Sequence, residues 1–128
     1  MNDIHFCEVC GSSYGVELHH VVFRSQNSNL TKCKLNFAYL CAEHHRGNGV
    51  HGKNGHELDK QLKLKFQNKL EYLFMKEYLT EEEINEVLCI SQNALKRLLK
   101  PLKKYKDKYF RDDIIRACMG GKIILGDD

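Results

Sequence analysis

The 128-residue chain contains a single proline, Pro101, and no internal repeat, proline-rich linker or low-complexity tract, so nothing in it marks an extended spacer or a repeat array. No apolar run approaches the roughly 18 residues of a membrane span, and a soluble protein is the expectation. Met1-Asn2-Asp3 leads directly into polar sequence without the apolar stretch of a secretory signal, which makes the reducing cytoplasm the expected compartment. Neither sign of charge dominates. The 20 Lys and Arg stand against 17 Asp and Glu, a formal +3, and that balance does not by itself announce a nucleic-acid partner. One compact unit, or a small unit with an appendage, is the prior at this length.

What the chain does have is six cysteines and seven histidines, clustered. In a reducing compartment a C-x2-C pair beside histidines points to a metal site rather than to a disulfide framework. Zinc takes thiolate and imidazole ligands tetrahedrally, commonly from two close pairs far apart in sequence. Cys7-x2-Cys10, followed by Gly11, is one such pair. Cys41-x2-His44 is the pair chosen to complete a Cys3His structural zinc clip, with Cys33 as the rival ligand. Cys89 and Cys118 fall at apolar helical positions and are expected in the core, and His5 is expected to be exposed or satisfied.

Three segments follow from patterning. Residues from about Asp3 to Leu58, rich in Cys, His, Gly, Asn and Ser, suit a metal-stapled hairpin with loops. From Glu57 to about Tyr78, Leu58, Leu62, Phe66, Leu70, Leu73 and Phe74 recur at three- and four-residue steps, which predicts an amphipathic helix packed on the finger. Thr80-Glu81-Glu82-Glu83 is a capping box that opens a helix burying Ile84, Val87 and Leu88. A second helix opens at Ser91 and carries Leu95, Leu98, Leu99 and Leu102 on one face, with Pro101 ending or kinking it.

Two short helices joined by a tight turn resemble a helix-turn-helix, although an ordinary helical hairpin makes the same pattern and Cys89 stands where glycine is usual. On that reading Gln92, Asn93, Lys96 and Arg97 face DNA. The basic stretch from Lys96 to Lys108 reads equally as phosphate contact or as a solvated helix face. Asp112 and Asp113 suit the first turn of a last helix closed by Gly120-Gly121, and Ile123-Ile124-Leu125 is a candidate strand. The expected fold is therefore α+β: a zinc-stapled finger with its trailing helix over 1–78, then a helical, helix-turn-helix-like segment over 79–128.

Cys7-x2-Cys10, Leu18-His19-His20-Val21, Asn36 five positions before Cys41, His44-His45 and His51 together resemble the HNH endonucleases, the ββα-metal or His-Me finger group, over roughly residues 7–60. The resemblance implies a hairpin and helix holding one divalent cation, Mg2+ or Mn2+ or another transition metal. His19, His45 and His51 would be its ligands, His20 the general base for water, and Asn36 the residue that holds the loop and orients that base. Two features depart from the commonest pattern. His44 replaces a cysteine, and the gap from His45 to His51 is long and holds two glycines, so a turn must interrupt the helix there and His56 is the alternative ligand. Arg24, Arg46 and Lys53 are candidates to grip phosphates. The implied protein is a DNA nuclease like those of bacteriophages and mobile elements, acting in a bacterial cytoplasm, with DNA as partner and a homodimer possible. The competing reading is a non-catalytic, zinc-stabilised DNA-binding accessory protein of phage replication, recombination or packaging.

Overall fold

The computed structural model describes residues 4–47, 49–52 and 55–124. Its architecture is mixed α and β. Strand β1 (Val16–His20) pairs antiparallel with β2 (Phe37–Cys41), setting Val16 opposite Cys41 and His20 opposite Phe37. The long loop between them contains two single turns of 3-10 helix, Ser28–Leu30 and Lys34–Asn36. Such a loop needs partners for its buried backbone groups, and Asn36, fully buried, supplies them. Its Oδ1 accepts from the Val22 amide at 2.7 Å, and its Nδ2 donates to the carbonyls of Val22 at 3.1 Å and Leu30 at 3.3 Å.

A π-helical turn, Glu43–Gly47, follows β2 and leads through the glycine-containing stretch to helix α1 (His56–Leu73). Leu62, Phe66 and Leu70 of α1 are buried, and Leu62 and Phe66 face Val21 and Ala38 of the hairpin. The helix stops at Leu73 instead of running to Tyr78. The cause is tertiary: Phe74 turns extended and buries its ring, while Arg111 reaches back to cap the end, its Nε donating to the Phe74 carbonyl and its Nη2 to the Glu71 carbonyl, both at 2.6 Å.

Strand β3 (Tyr78–Leu79) precedes α2 (Glu81–Leu88), whose capping box closes as the pattern predicts: the Glu83 amide donates to Thr80 Oγ1 at 3.2 Å and the Thr80 amide to Glu83 Oε1 at 2.9 Å. Ser91 caps α3 (Gln92–Leu99), and Pro101 lies just beyond its end. The turn between the helices is held by Asn85, whose side chain bonds both the amide and the carbonyl of Ile90 at 2.9 Å. Cys89 sits there in the left-handed region, φ 53° and ψ 45°, and is exposed, not in the core as expected. Residues past α3 form β4 (Lys104–Tyr105) and β5 (Lys108–Phe110), so the basic stretch is part helix and part hairpin and not one helix face. The three short strands order as β3-β5-β4. Helix α4 (Arg111–Cys118) carries Asp112 and Asp113 in its first turn and ends in Gly120 and Gly121, both at positive φ.

Described residues on either side of the expected boundary at 78 and 79 meet across one continuous core. Leu30, Phe66, Leu70 and Phe74 belong to it together with Ile84, Leu95, Leu99 and Ile114. Asn27 Nδ2 donates to the Ala117 carbonyl at 3.1 Å, and the Gln67 amide group brackets the backbone of Ile124 at 2.7 and 2.9 Å. Ile123 and Ile124 are therefore docked as irregular chain and not as a strand; Leu125 lies outside the described residues. No helix among the described residues is long and apolar enough to cross a membrane.

Candidate metal centres

Cys7, Cys10, Cys41 and His44 converge. The Cys7 and Cys41 sulfurs lie 3.5 and 3.3 Å from His44 Nδ1, and Cys10 Sγ is 3.8 Å from Cys41 Sγ. A tetrahedral ion bound to sulfur at about 2.3 Å places neighbouring ligand atoms roughly 3.5–3.8 Å apart, whereas a disulfide would need about 2.05 Å. The spacing is that of a ligand shell, and the four side chains could hold a metal ion such as zinc. Burial works against ionisation of Cys7, but amides of Cys41, Cys10 and Val9 and the His44 ring outweigh it and bring the thiol down to about 6, which favours the thiolate that metals bind. Cys33, the rival, is buried in the hydrophobic core with its thiol pKa raised by burial, outside this group. Cys118 is likewise fully buried core.

A second group forms from His19, His45 and His51, whose ring-nitrogen donors all lie within 4.8 Å of one another. An ion at equal distance from three such atoms would sit within roughly 2.8 Å of each, near enough to the usual imidazole–metal distance of about 2.1 Å for small side-chain rotations to close the shell. The long gap is bridged as the six-residue separation demands. The π-helical turn ends at Gly47, and the chain folds back so that the His51 amide donates to the His45 carbonyl at 3.0 Å and the Val50 amide to the His44 carbonyl at 2.9 Å. Gly49 permits this: a Cβ there would lie 1.6 Å from the His44 carbonyl oxygen. His56, the alternative ligand, opens α1 and lines a separate cavity with Asp59 and Lys60.

Two observations fit this cluster to a cation. His19 is 2% exposed, yet its Nε2 is buried with no hydrogen-bond partner among the described residues, an arrangement that costs about 1–3 kcal/mol unless something ligates it. Burial first, and then the neighbouring His45, His51 and His20 rings and Lys63, push the His19 pKa down to about 3, so its ring is neutral with a lone pair to offer. The second observation is Glu17, which the sequence reading did not single out. Its carboxylate accepts from His45 Nδ1 at 2.6 Å and from Arg46 at 2.7 Å, which fixes the His45 tautomer and leaves Nε2 as the free donor atom. Those bonds hold the Glu17 carboxyl below its usual range.

His20 is the last residue of β1, and with His19, Phe23, Arg24, His45 and His51 it lines a cleft of about 400 Å³. Its Nε2 lies 2.8 Å from the Thr31 carbonyl. A carbonyl only accepts, so Nε2 carries a proton, and in the neutral ring Nδ1 is then the atom with the lone pair. The Asn36 side chain spends its hydrogen bonds on Val22 and Leu30 and so pins the loop that presents Thr31. Arg24 reaches the cleft, Arg46 is engaged by Glu17, and Lys53 lies outside the described residues. Gln92, Asn93, Lys96 and Arg97 are all exposed on α3, with Arg97 Nε donating to Asn29 Oδ1 at 3.1 Å. His5 is exposed and stacks on Tyr39 at 3.7 Å between ring centroids. No family model, curated protein or solved structure matches the chain.

Proposed function

We propose that this protein is a metal-dependent DNA endonuclease of the HNH type, with His19, His45 and His51 holding the catalytic cation and the cysteine-rich group holding a structural zinc. The observation that carries the reading is the pairing, in one cleft, of a three-histidine cluster with an adjacent His20 whose proton is parked on Nε2 by the Thr31 carbonyl. That tautomer is what a general base requires.

A divalent ion bound there would supply charge stabilisation at a non-bridging phosphate oxygen and at the departing 3′ oxygen. His20 Nδ1 removes a proton from the attacking water, whose oxygen forms the new bond to phosphorus as the bond to the 3′ oxygen breaks. The products are a 5′-phosphate and a 3′-hydroxyl once solvent returns a proton to the leaving oxygen. No side-chain nucleophile takes part. Arg24 at the cleft rim contacts the phosphate backbone, Glu17 orients His45, and Asn36 orients His20 only through the loop that bears Thr31. Helix α3 presents Gln92, Asn93, Lys96 and Arg97 to DNA. Mg2+ or Mn2+ is the catalytic ion of this scheme, although imidazole ligands favour later transition metals over Mg2+. One cleft per chain cuts one strand, so a double-strand break needs a dimer or two events.

The test is plasmid cleavage with Mg2+ or Mn2+. His20→Ala should lower the rate by about 10²–10⁴, the usual contribution of a general base, with circular dichroism and DNA affinity unchanged. Absence of cleavage by the wild type with any divalent ion would replace the nuclease with a zinc-stabilised DNA-binding accessory protein.

A further inference from the structure

We infer that the β4–β5 hairpin is a second DNA-contacting element that clasps the phosphate backbone of a double helix beside α3; the inference rests on the nuclease reading for its substrate class and narrows that class to duplex DNA. Lys104, Lys106 and Lys108 are exposed along the hairpin, and none of them is in an ion pair among the described residues. Asp107, in the turn between Lys106 and Lys108, is the single acid on the hairpin; other acids of this half gather in the first turns of α2, at Glu81, Glu82 and Glu83, and of α4, at Asp112 and Asp113. The charge is thus net positive on α3, which holds Lys96 and Arg97 and no acid, and on the hairpin, with three lysines to one aspartate, and negative on α2, although the chain as a whole carries only +3.

The fold fixes where this charge sits. Helix α3 ends at Leu99 and β4 begins at Lys104, so the tether holds the hairpin within roughly 17 Å of the helix end even if fully extended. On its other side β5 pairs with β3, immediately ahead of α2, which anchors the hairpin to both ends of the helix pair. At its tip Lys106 adopts φ 61°, a conformation that hairpin turns ordinarily assign to Gly, Asn or Asp. A lysine kept there at a conformational cost is a side chain held out into solvent.

The hairpin's aromatic rings are already engaged. Tyr105 packs edge-on against Tyr78 at 5.4 Å and carries Lys103 Nζ at 4.9 Å, and Tyr109 is buried. Single-stranded DNA is held chiefly by bases stacked on free rings, whereas a helix in a groove flanked by cations is how a duplex is gripped.

Binding is measured with the full zinc-loaded chain carrying His20→Ala, so that no cutting occurs, on a short duplex of arbitrary sequence and on one of its strands. Each phosphate contact contributes about 0.9 to the slope of log K against log salt. The triple variant K104S/K106S/K108S should lower that slope by about 2–3, so that between 50 and 200 mM salt the parent loses up to about 40-fold more affinity than the variant. K104R/K106R/K108R should retain the parent slope and the duplex should bind more tightly than the strand. An unchanged slope in the serine variant, a reduced slope in the arginine variant, or preference for the single strand would each overturn the inference. Because no cleavage is read, this outcome is independent of whether the wild type cuts plasmid.

Discussion

Glu17 Oε1 lies 2.6 Å from His45 Nδ1, so the carboxylate on the first strand and the imidazole on the turn after the second form one unit across the hairpin. The hydrogen bond fixes the orientation of the His45 ring between those of His19 and His51. Glu17→Ala should therefore weaken Mn2+ binding at the histidine cluster by about 10–100-fold, as loss of such a partner generally does, while the zinc content stays at its wild-type value. Isothermal titration with Mn2+ and zinc analysis on the same sample check both halves. Unchanged Mn2+ affinity would mean that the carboxylate serves only Arg46.

Asn36 is fully buried and bonds three backbone groups, the amide and carbonyl of Val22 and the carbonyl of Leu30. Asn36→Ala removes these bonds from the Val22 amide and carbonyl, while the Leu30 carbonyl keeps the Cys33 amide at 3.1 Å, and should cost about 2 kcal/mol or more. The measurement is chemical denaturation. A loss under 1 kcal/mol would show that water replaces the side chain and that the loop does not depend on it.

Cys7→Ser removes a ligand atom that sits in a nearly closed pocket, 3% exposed. Metal affinity and folding energy are one quantity in such clips, so the variant should purify without stoichiometric zinc and lose the cooperative melting of its amino-terminal half. Retained zinc together with a wild-type melting curve would refute the ligand set.

Lys76 first, then the Thr80 amide, hold the Glu83 carboxyl down to about 2 against an ordinary value of 4.5. Because the folded pKa is the lower one, the unfolded chain binds more protons as pH falls below about 4.5. The stabilisation is complete above that value and is lost as pH drops through about 2. Glu83→Gln keeps the hydrogen bond to Thr80 but discards the charge. Its melting temperature should fall short of the wild type at pH 7, and the gap should narrow on acidification from pH 4.5 toward pH 3; a gap independent of pH would show that the ion pair with Lys76 contributes nothing.

Ligand spacing made the cysteine-rich candidate group legible in the chain, because close pairs such as Cys7-x2-Cys10 have few other uses beside clustered histidines, whereas the set His19, His45 and His51 was implied only by the resemblance to the HNH motif. The capped starts of α2 and α3 were equally readable, since Thr80, Glu83 and Ser91 act within a single turn of their own helix. What escaped were relations made at long range. The end of α1 depends on Arg111, remote in sequence, and nothing near Leu73 signals it. Thr31 serves through its carbonyl, which every residue possesses, so its identity is silent. Glu17 did leave one sign: it lies two residues before His19 on a strand, hence on the same face, and a carboxylate on the face of a presumed ligand is a candidate to orient its neighbours. Strands β3, β4 and β5 are two or three residues long and turn at Lys106-Asp107 without glycine, too short and too polar for alternation to reveal.

His44 and His45 are consecutive residues of a single five-residue turn, yet their rings serve different centres. The two candidate centres thus hang from one peptide bond. Were an ion held by the cysteine-rich group to leave, the turn would lose its sulfur partners and the neighbouring imidazole would swing out of register in the same event. Occupancy of the one group is thereby tied to the geometry of the other.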